Sequence, residues 1–211
     1  MTARKVVTRS GRKIRGYFPS LKMKRMVAWE SLLERDMILL MEFSQGIVQF
    51  REQPELVLYD DGDVQRRYFP DFEITTSAHV LEHIEVKSEA QLRRPVIEQK
   101  LSLVANNYAQ RGLKYRVLSD RDIRREPLLG NLKLLAHARR LSPEVEFVRD
   151  EVRKLLKSGE INFQYLEKQL GRDLLIKLIA CGDVRCDLHL SLTGGNRLLH
   201  PEEADNDQIL F

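Results

Sequence analysis

Tyr68-Phe69-Pro70-Asp71-Phe72 and, after twelve intervening residues, Glu85-Val86-Lys87 decide how this chain reads. Between them, Val80 to Val86 alternates Val80, Glu82, Ile84 and Val86 against Leu81, His83, Glu85 and Lys87. That period of two is the mark of a β-strand, so Glu85 and Lys87 share one face, about 7 Å apart along the strand. Thr76 to Ala78 forms a small polar turn, and the strand before it begins just past Pro70-Asp71. Two carboxylates and a lysine are thereby brought to neighbouring strands. Hydrolysis of a phosphodiester needs an activated water, neutralisation of the charge growing on the phosphorane, and stabilisation of the departing oxygen. One or two Mg²⁺ ions supply this, and Mg²⁺ asks only for hard oxygen ligands.

Upstream, Trp29 to Phe43 repeats Trp29, Leu33, Met37 and Leu40 at helical spacing, which puts Glu34 on a helix. Gly46 ends it. Ile47 to Phe50 and Leu56 to Tyr59 read as short strands, and Asp61-Gly62-Asp63 supplies a turn before the strand approaching Tyr68. Downstream, Pro95 opens an amphipathic helix through Val96, Ile97, Leu101, Val104 and Tyr108 that Gly112 closes, followed by a strand at Tyr115 to Leu118. The order of helix, strands, helix and strand implies an α/β fold with a central mixed sheet. Such a sheet can bring Glu34, Asp71 and Glu85 together. On this basis Asp71 anchors metal, Glu85 completes the set with the carbonyl of Val86, and Glu34 adds a third carboxylate. Lys87 either positions the attacking water or balances the phosphorane charge.

Taken together, the blocks Pro19-Ser20-Leu21-Lys22-Met23-Lys24-Arg25-Met26-Val27, Glu30-Ser31-Leu32-Leu33-Glu34-Arg35-Asp36, Glu52-Gln53-Pro54, Tyr68-Phe69-Pro70-Asp71-Phe72 and Glu85-Val86-Lys87 resemble TnsA, the endonuclease subunit of heteromeric bacterial transposases. The resemblance spans roughly residues 12 to 120. It implies a restriction-endonuclease-like core with catalytic Glu34, Asp71 and Lys87. Glu85 stands where some members carry glutamine. It also implies Mg²⁺, with Mn²⁺ as a substitute, and double-stranded DNA at transposon ends as substrate, cut on the 5′ strand. The implied partners are a TnsB-type DDE transposase and a TnsC-type AAA+ regulator. The alternatives are a stand-alone restriction, repair or junction nuclease of the same fold, and a noncatalytic DNA-binding adaptor.

Charge is distributed unevenly along the chain. Arg4, Lys5, Arg9, Arg12, Lys13, Arg15, Lys22, Lys24 and Arg25 stand before Val27 without an acid among them, while Glu202, Glu203, Asp205 and Asp207 lie near the other end without a base. The net charge of +4 alone says little about partners. The first 27 residues read as a basic arm poorly suited to regular structure, with Lys22, Lys24 and Arg25 as candidate phosphate contacts. Residues 28–140 read as the nuclease domain, 141–200 as a small winged-helix-like domain and 201–211 as an acidic tail. In the small domain, Ser142-Pro143 opens a helix through Leu155. Tyr165 to Leu170 and Leu174 to Ala180 form a helix pair around Gly171, and Val184 to Leu192 and Arg197 to Leu199 read as a hairpin. Its second helix offers Lys177 as its base, so protein contact and DNA contact weigh equally. Leu210 and Phe211 are expected to pack back on that small domain, the alternative being an anchor for a partner.

With 43% hydrophobic and 31% charged residues the composition is that of an ordinary soluble protein. No apolar run approaches the roughly 20 residues that span a bilayer, and no leader segment is evident, so no membrane role and a bacterial cytoplasmic location, nucleoid-associated when active, are expected. Cys181 and Cys186 cannot build a disulfide scaffold or a zinc site and are expected to be buried thiols. His79 and His83 lack a second nitrogen ligand at suitable spacing and are expected to be bystanders.

Overall fold

A computed structural model describes residues 14–54, 56–62, 64–139, 145–159, 161–203 and 207–211. The chain divides into two units, the first formed by Met1–Arg124 with Asp207–Phe211 and the second by Arg125–Asn206. The second unit thus begins ahead of the boundary expected near residue 141.

The first unit opens with an antiparallel hairpin of β1 (Gly16–Ser20) and β2 (Arg25–Trp29). The expected unstructured basic arm is therefore regular from Gly16 onward, and Trp29 belongs to a strand rather than to the following helix. Phe18 faces Val27 across the hairpin and both are buried, while the lysines and Arg25 gather at its turn. Helix α1 (Leu32–Phe43) is capped by Ser31 and buries Met37, Ile38, Leu39, Leu40, Met41 and Phe43. It is apolar almost all round, as a helix enclosed by a sheet and its neighbours must be. Two acids lie within that burial and both are compensated. Asp36 receives Arg35 at 2.9 Å and Arg124 at 2.8 Å. Glu42 accepts the Ser20 hydroxyl at 2.6 Å and the amides of Leu21 and Lys22, each at 3.1 Å, which fixes the hairpin turn to the end of α1.

The central sheet has four strands in the order β3 (Ile47–Glu52), β6 (Phe72–Thr76), β7 (Leu81–Val86) and β8 (Lys114–Leu118), with β4 (Val57–Asp61) and β5 (Val64–Tyr68) set apart as a hairpin. β6 runs antiparallel to both β3 and β7, whereas β7 and β8 are parallel. A parallel pair needs a crossover, and α2 (Glu89–Leu92) and α3 (Pro95–Gln110) provide it. α4 (Asp120–Ile123) follows β8. Phe50, Phe72, Ile74 and Ile84 fill the sheet's interior.

Residues 207–211 complete this unit. Gly46 donates its amide to the Gln208 carbonyl at 2.8 Å, Leu210 donates its own to Ser44 Oγ at 3.0 Å, and the Leu210 side chain is buried. Arg116 lies over the Phe211 ring at 5.1 Å. Leu210 and Phe211 thus pack on the nuclease-side unit, not on the small domain as the sequence suggested.

The second unit comprises α5 (Leu128–Arg139), α6 (Glu146–Lys157), β9 (Ile161–Asn162), α7 (Phe163–Leu170), α8 (Arg172–Cys181), β10 (Arg185–Cys186) and β11 (Arg197–Leu199). Its three strands form an antiparallel sheet in the order β10-β11-β9. α8 buries Leu175, Ile176, Leu178, Ile179 and Ala180, packing on α5 and α7, and ends at Gly182 in the left-handed conformation at φ 82°. Asp183 beyond it is buried and receives Arg149 at 2.9 Å and Arg153 at 2.7 Å from α6. The strand expected from Val184 to Leu192 shrinks to Arg185–Cys186, because Asn131 donates to the carbonyls of Leu188 and Leu190 at 3.0 and 2.9 Å and holds them out of a ladder. Cys181 is exposed rather than buried, Cys186 is half-buried, and neither is in a disulfide. Ser142 and Pro143 lie outside the described residues. Among the described residues no helix is long and apolar enough to cross a membrane.

Candidate active site

Pro70 ends the chain's approach to the sheet, and Asp71 stands one residue before β6. The register pairs Phe72 with Ile84, so Asp71 falls beside the end of β7. There Asp71 Oδ2 accepts the Val86 amide at 2.8 Å and faces Lys87 Nζ at 3.4 Å. The Asp71 carbonyl accepts the amide of Gln53, which sits in the left-handed region at φ 40°. Backbone bonds thus fix Asp71 from two sides, independently of any ligand.

Glu85 and Lys87 occupy one face of the strand end, as alternation required. Glu85 is buried, and its Oε1 is in direct contact with the Lys87 ammonium. Lys87 Nζ also donates to the Val86 carbonyl at 3.1 Å. The Lys87 amide donates to Leu118 O at 3.1 Å, so β8 continues to pair past the formal end of β7 and holds the lysine in place. Asp71, Glu85 and the Val86 carbonyl therefore converge on one cation, the ammonium of Lys87.

Glu34 belongs to a different arrangement. It stands in the first turn of α1, where its Oε2 accepts the Glu30 amide at 2.8 Å and its Oε1 accepts the Ser31 hydroxyl at 2.9 Å. Ser31 Oγ in turn accepts the Glu34 amide at 3.1 Å, a reciprocal capping arrangement. Its link to the other acids is electrostatic. Burial first, and then the charge of Asp71, pushes the Glu34 carboxyl up to about 7. The same two causes in the same order push Glu85 up to about 7, against the pull of Lys87. Burial alone would lower the Lys87 ammonium, but the charges of Asp71 and Glu85 outweigh it and raise it above its ordinary value.

Among the described residues no three His, Cys, Asp or Glu side chains stand close enough to form a metal cage by themselves. The donors nevertheless suit a hard cation. Mg²⁺ needs only one or two carboxylates, its remaining positions being filled by water and substrate phosphate. Two carboxylates, those of Asp71 and Glu85, lie beside Lys87, and their oxygens with that of Val86 already meet around a positive charge.

Two tyrosines that sequence reasoning left without a role complete the site. Tyr68, at the end of β5, donates its hydroxyl to Glu85 Oε2 at 2.5 Å, and the hydroxyl of Tyr115 on β8 lies 2.8 Å from that of Tyr68. Burial, followed by the Glu85 charge, holds both phenols well above their usual range. The signal was present in the position of Tyr68 three residues before Asp71, yet an aromatic ending a strand reads first as core. His83 is buried against Glu73, 3.0 Å from Nε2, and edges onto Tyr108, while His79 sits in a turn at φ 58°. Glu73, the carboxylate that His83 meets, is not among the candidate site residues.

The three candidate phosphate contacts separate. Lys22 donates to the carbonyls of Met41, Ser44 and Ile47, and Arg25 forms a two-pronged pair with Glu52 at 2.8 and 2.6 Å. Lys24 is exposed at the hairpin turn, at φ 52°.

Residues 44–120 match the family model described as the TnsA-like endonuclease N terminal. The match contains Tyr68, Asp71, Glu85, Val86, Lys87 and Tyr115, with Glu34 just upstream of it. It is the family that the residue blocks resemble, and it is consistent with a TnsA-type endonuclease. A comparison with curated proteins returned no match.

Proposed function

We propose that this chain, carrying a TnsA-like endonuclease domain, is the metal-dependent DNA endonuclease subunit of a bacterial transposase and cuts the 5′ strands at transposon ends. The observation that carries the proposal is the convergence of Asp71, Glu85 and the Val86 carbonyl on Lys87 within the stretch that matches the family. Asp71 and Glu85, with the Val86 carbonyl, would hold Mg²⁺, or Mn²⁺ in its place, and Glu34 would add negative charge from α1. The bound ion supplies Lewis-acid polarisation of the scissile phosphate and a water of lowered pKa. The chain's own groups do the rest. The Val86 amide and the Gln53 amide keep Asp71 from turning away, and β8 keeps Lys87 at the strand end. The Lys87 ammonium, charged throughout the neutral range, offsets the negative charge that grows on the phosphorane.

Double-stranded DNA at transposon ends, a TnsB-type DDE transposase and a TnsC-type AAA+ regulator follow from the family as partners, and the bacterial cytoplasm as the place of work. The helix–strand–helix–helix–strand–strand order of α6 to β11 supports a winged-helix-like second unit. Burial of α8 against α5 and α7 favours protein contact over groove reading for that unit, because the helix that would enter a groove is largely covered within its own unit.

The test is strand-resolved cleavage of an end-labelled transposon end by this protein together with the transposase subunit, with and without Mg²⁺. We expect 5′-strand cuts that require Mg²⁺ and the partner, and that vanish in Asp71→Ala while the variant still folds and assembles. Retained 5′ cutting by Asp71→Ala would refute the site. Efficient nicking of arbitrary duplex by the isolated chain would favour a stand-alone nuclease. Salt-sensitive DNA binding without cleavage under any condition would favour an adaptor.

A further inference from the structure

Tyr68 stands between the folded core and the carboxylate cluster. Its ring is buried, set edge-on to Tyr59 at 6.4 Å and to Tyr115 at 6.2 Å, with Lys100 over its face at 5.2 Å. Its hydroxyl has one proton and two oxygen neighbours, Glu85 Oε2 and the Tyr115 hydroxyl. A carboxylate can only accept, so Tyr68 donates to Glu85 and Tyr115 donates to Tyr68. Tyr115 is itself stacked on Tyr108 at 4.8 Å, which fixes the far end of the chain of hydroxyls. Glu85 is thus gripped at both oxygens, one by a phenol of the core and the other by Lys87.

We propose that Tyr68, backed by Tyr115, is a positioning residue of the nuclease site, holding the Glu85 carboxylate so that Oε1 alone faces Lys87 and the cation-binding oxygens. The proposal rests on the nuclease assignment above and adds a specific consequence. The terminal torsion of a glutamate is broad, and nothing in a strand backbone fixes it. A charge-assisted hydrogen bond from a buried, ring-packed phenol does fix it. Glu85 then contributes a single oxygen to a bound divalent ion, and the geometry of Lys87 depends on a tyrosine that touches neither DNA nor metal.

Tyr68→Phe isolates the hydroxyl, because the ring contacts to Tyr59, Tyr115 and Lys100 do not need it. In the complete cleavage assay with the transposase subunit, we expect this variant to lose about tenfold to a hundredfold in 5′-cutting rate, the cost typical of removing a group that orients a metal ligand. A second readout needs no turnover. Mn²⁺ binding to the DNA-free protein, followed by electron paramagnetic resonance, should weaken by a similar factor in Tyr68→Phe. In a Glu85→Ala background, which leaves the Tyr68 hydroxyl no carboxylate to hold, the same Tyr68→Phe change should alter Mn²⁺ binding within only about twofold, since independent sites add and coupled ones do not. Tyr115→Phe, which keeps the Tyr68–Glu85 bond, serves as a milder variant should Tyr68→Phe fail to fold, and should show the same coupling to Glu85→Ala. Wild-type Mn²⁺ affinity and cutting in the folded single variant, or equal losses in both backgrounds, would overturn the positioning role. A wild-type complex that does not cut at all would instead overturn the nuclease assignment, so the two failures are distinguishable.

Discussion

The ammonium of Lys22 lies 2.8, 2.5 and 2.7 Å from the carbonyls of Met41, Ser44 and Ile47. Two of these belong to the end of α1 and the residue that caps it, where a helix leaves its carbonyl oxygens without partners and its dipole favours a positive charge. Lys22→Met keeps the aliphatic stem and removes the charge, so it should lower unfolding free energy by about 2 kcal/mol, in the range for hydrogen bonds from a charged donor. A urea titration reads this as a shift of the midpoint. DNA affinity measured across salt concentrations should stay unchanged in Lys22→Met and fall in Lys24→Ala, whose side chain is exposed. The run Lys22-Met23-Lys24-Arg25 shows no such division in sequence. The acceptors of Lys22 lie nineteen to twenty-five positions away and the carboxylate that pairs Arg25 twenty-seven, and charge patterning carries no information at that separation.

At the scale of the element, α1 couples helix capping to the candidate site. Ser31 caps the helix through Oγ and donates that same hydroxyl to Glu34, so one serine both starts α1 and orients a carboxylate that feels Asp71. Ser31→Ala should cost about 1 kcal/mol of stability, as N-cap losses do, and should lower the rate of DNA cutting as well. Ser31→Thr preserves the hydroxyl and should restore both, which thermal denaturation and the cleavage assay can follow together. The helix was legible because its apolar residues recur at spacings of three and four, and Leu81–Val86 because it alternates. The second pattern put Glu85 and Lys87 on one face, and the pairing of β6 with β7 brings Asp71 beside them. The β1–β2 hairpin was not legible. Its inward residues, Phe18 and Val27, are separated by a turn crowded with basic residues and held from other elements, by Glu42 at the backbone amides of Leu21 and Lys22 and by Glu52 at Arg25. α5 was missed for a related reason, since Leu128–Arg139 interleaves Leu129, Leu132 and Leu135 with Gly130 and Asn131, and the role of Asn131 shows only once Leu188 and Leu190 are folded against it.

At the scale of the molecule, the chain leaves its first unit at Arg124 and returns to it at Asp207. The returning segment is held by the Gly46 amide and Ser44 Oγ at the turn between α1 and β3, and by burial of Leu210. Gly46 is glycine for a steric reason, because a Cβ there would lie 2.2 Å from the Asp207 carbonyl oxygen, and backbone cannot step aside as a flexible side chain can. An acidic sequence ending in Ile209-Leu210-Phe211 reads equally well as a free docking peptide, and only the packing separates the two. If the segment were a partner anchor, removing residues 207–211 would leave the stability of the protein unchanged. Its place in the first unit requires the opposite. Deletion should cost about 2 kcal/mol from Leu210 burial alone, visible as an earlier urea transition of the isolated protein. Gly46→Ala should reproduce much of that loss in the chain that keeps residues 207–211. In the truncated chain the same substitution should have little effect, because the carbonyl it collides with is gone. An undiminished Gly46→Ala penalty after truncation would show that the strain lies elsewhere and that the segment does not brace the turn between α1 and β3.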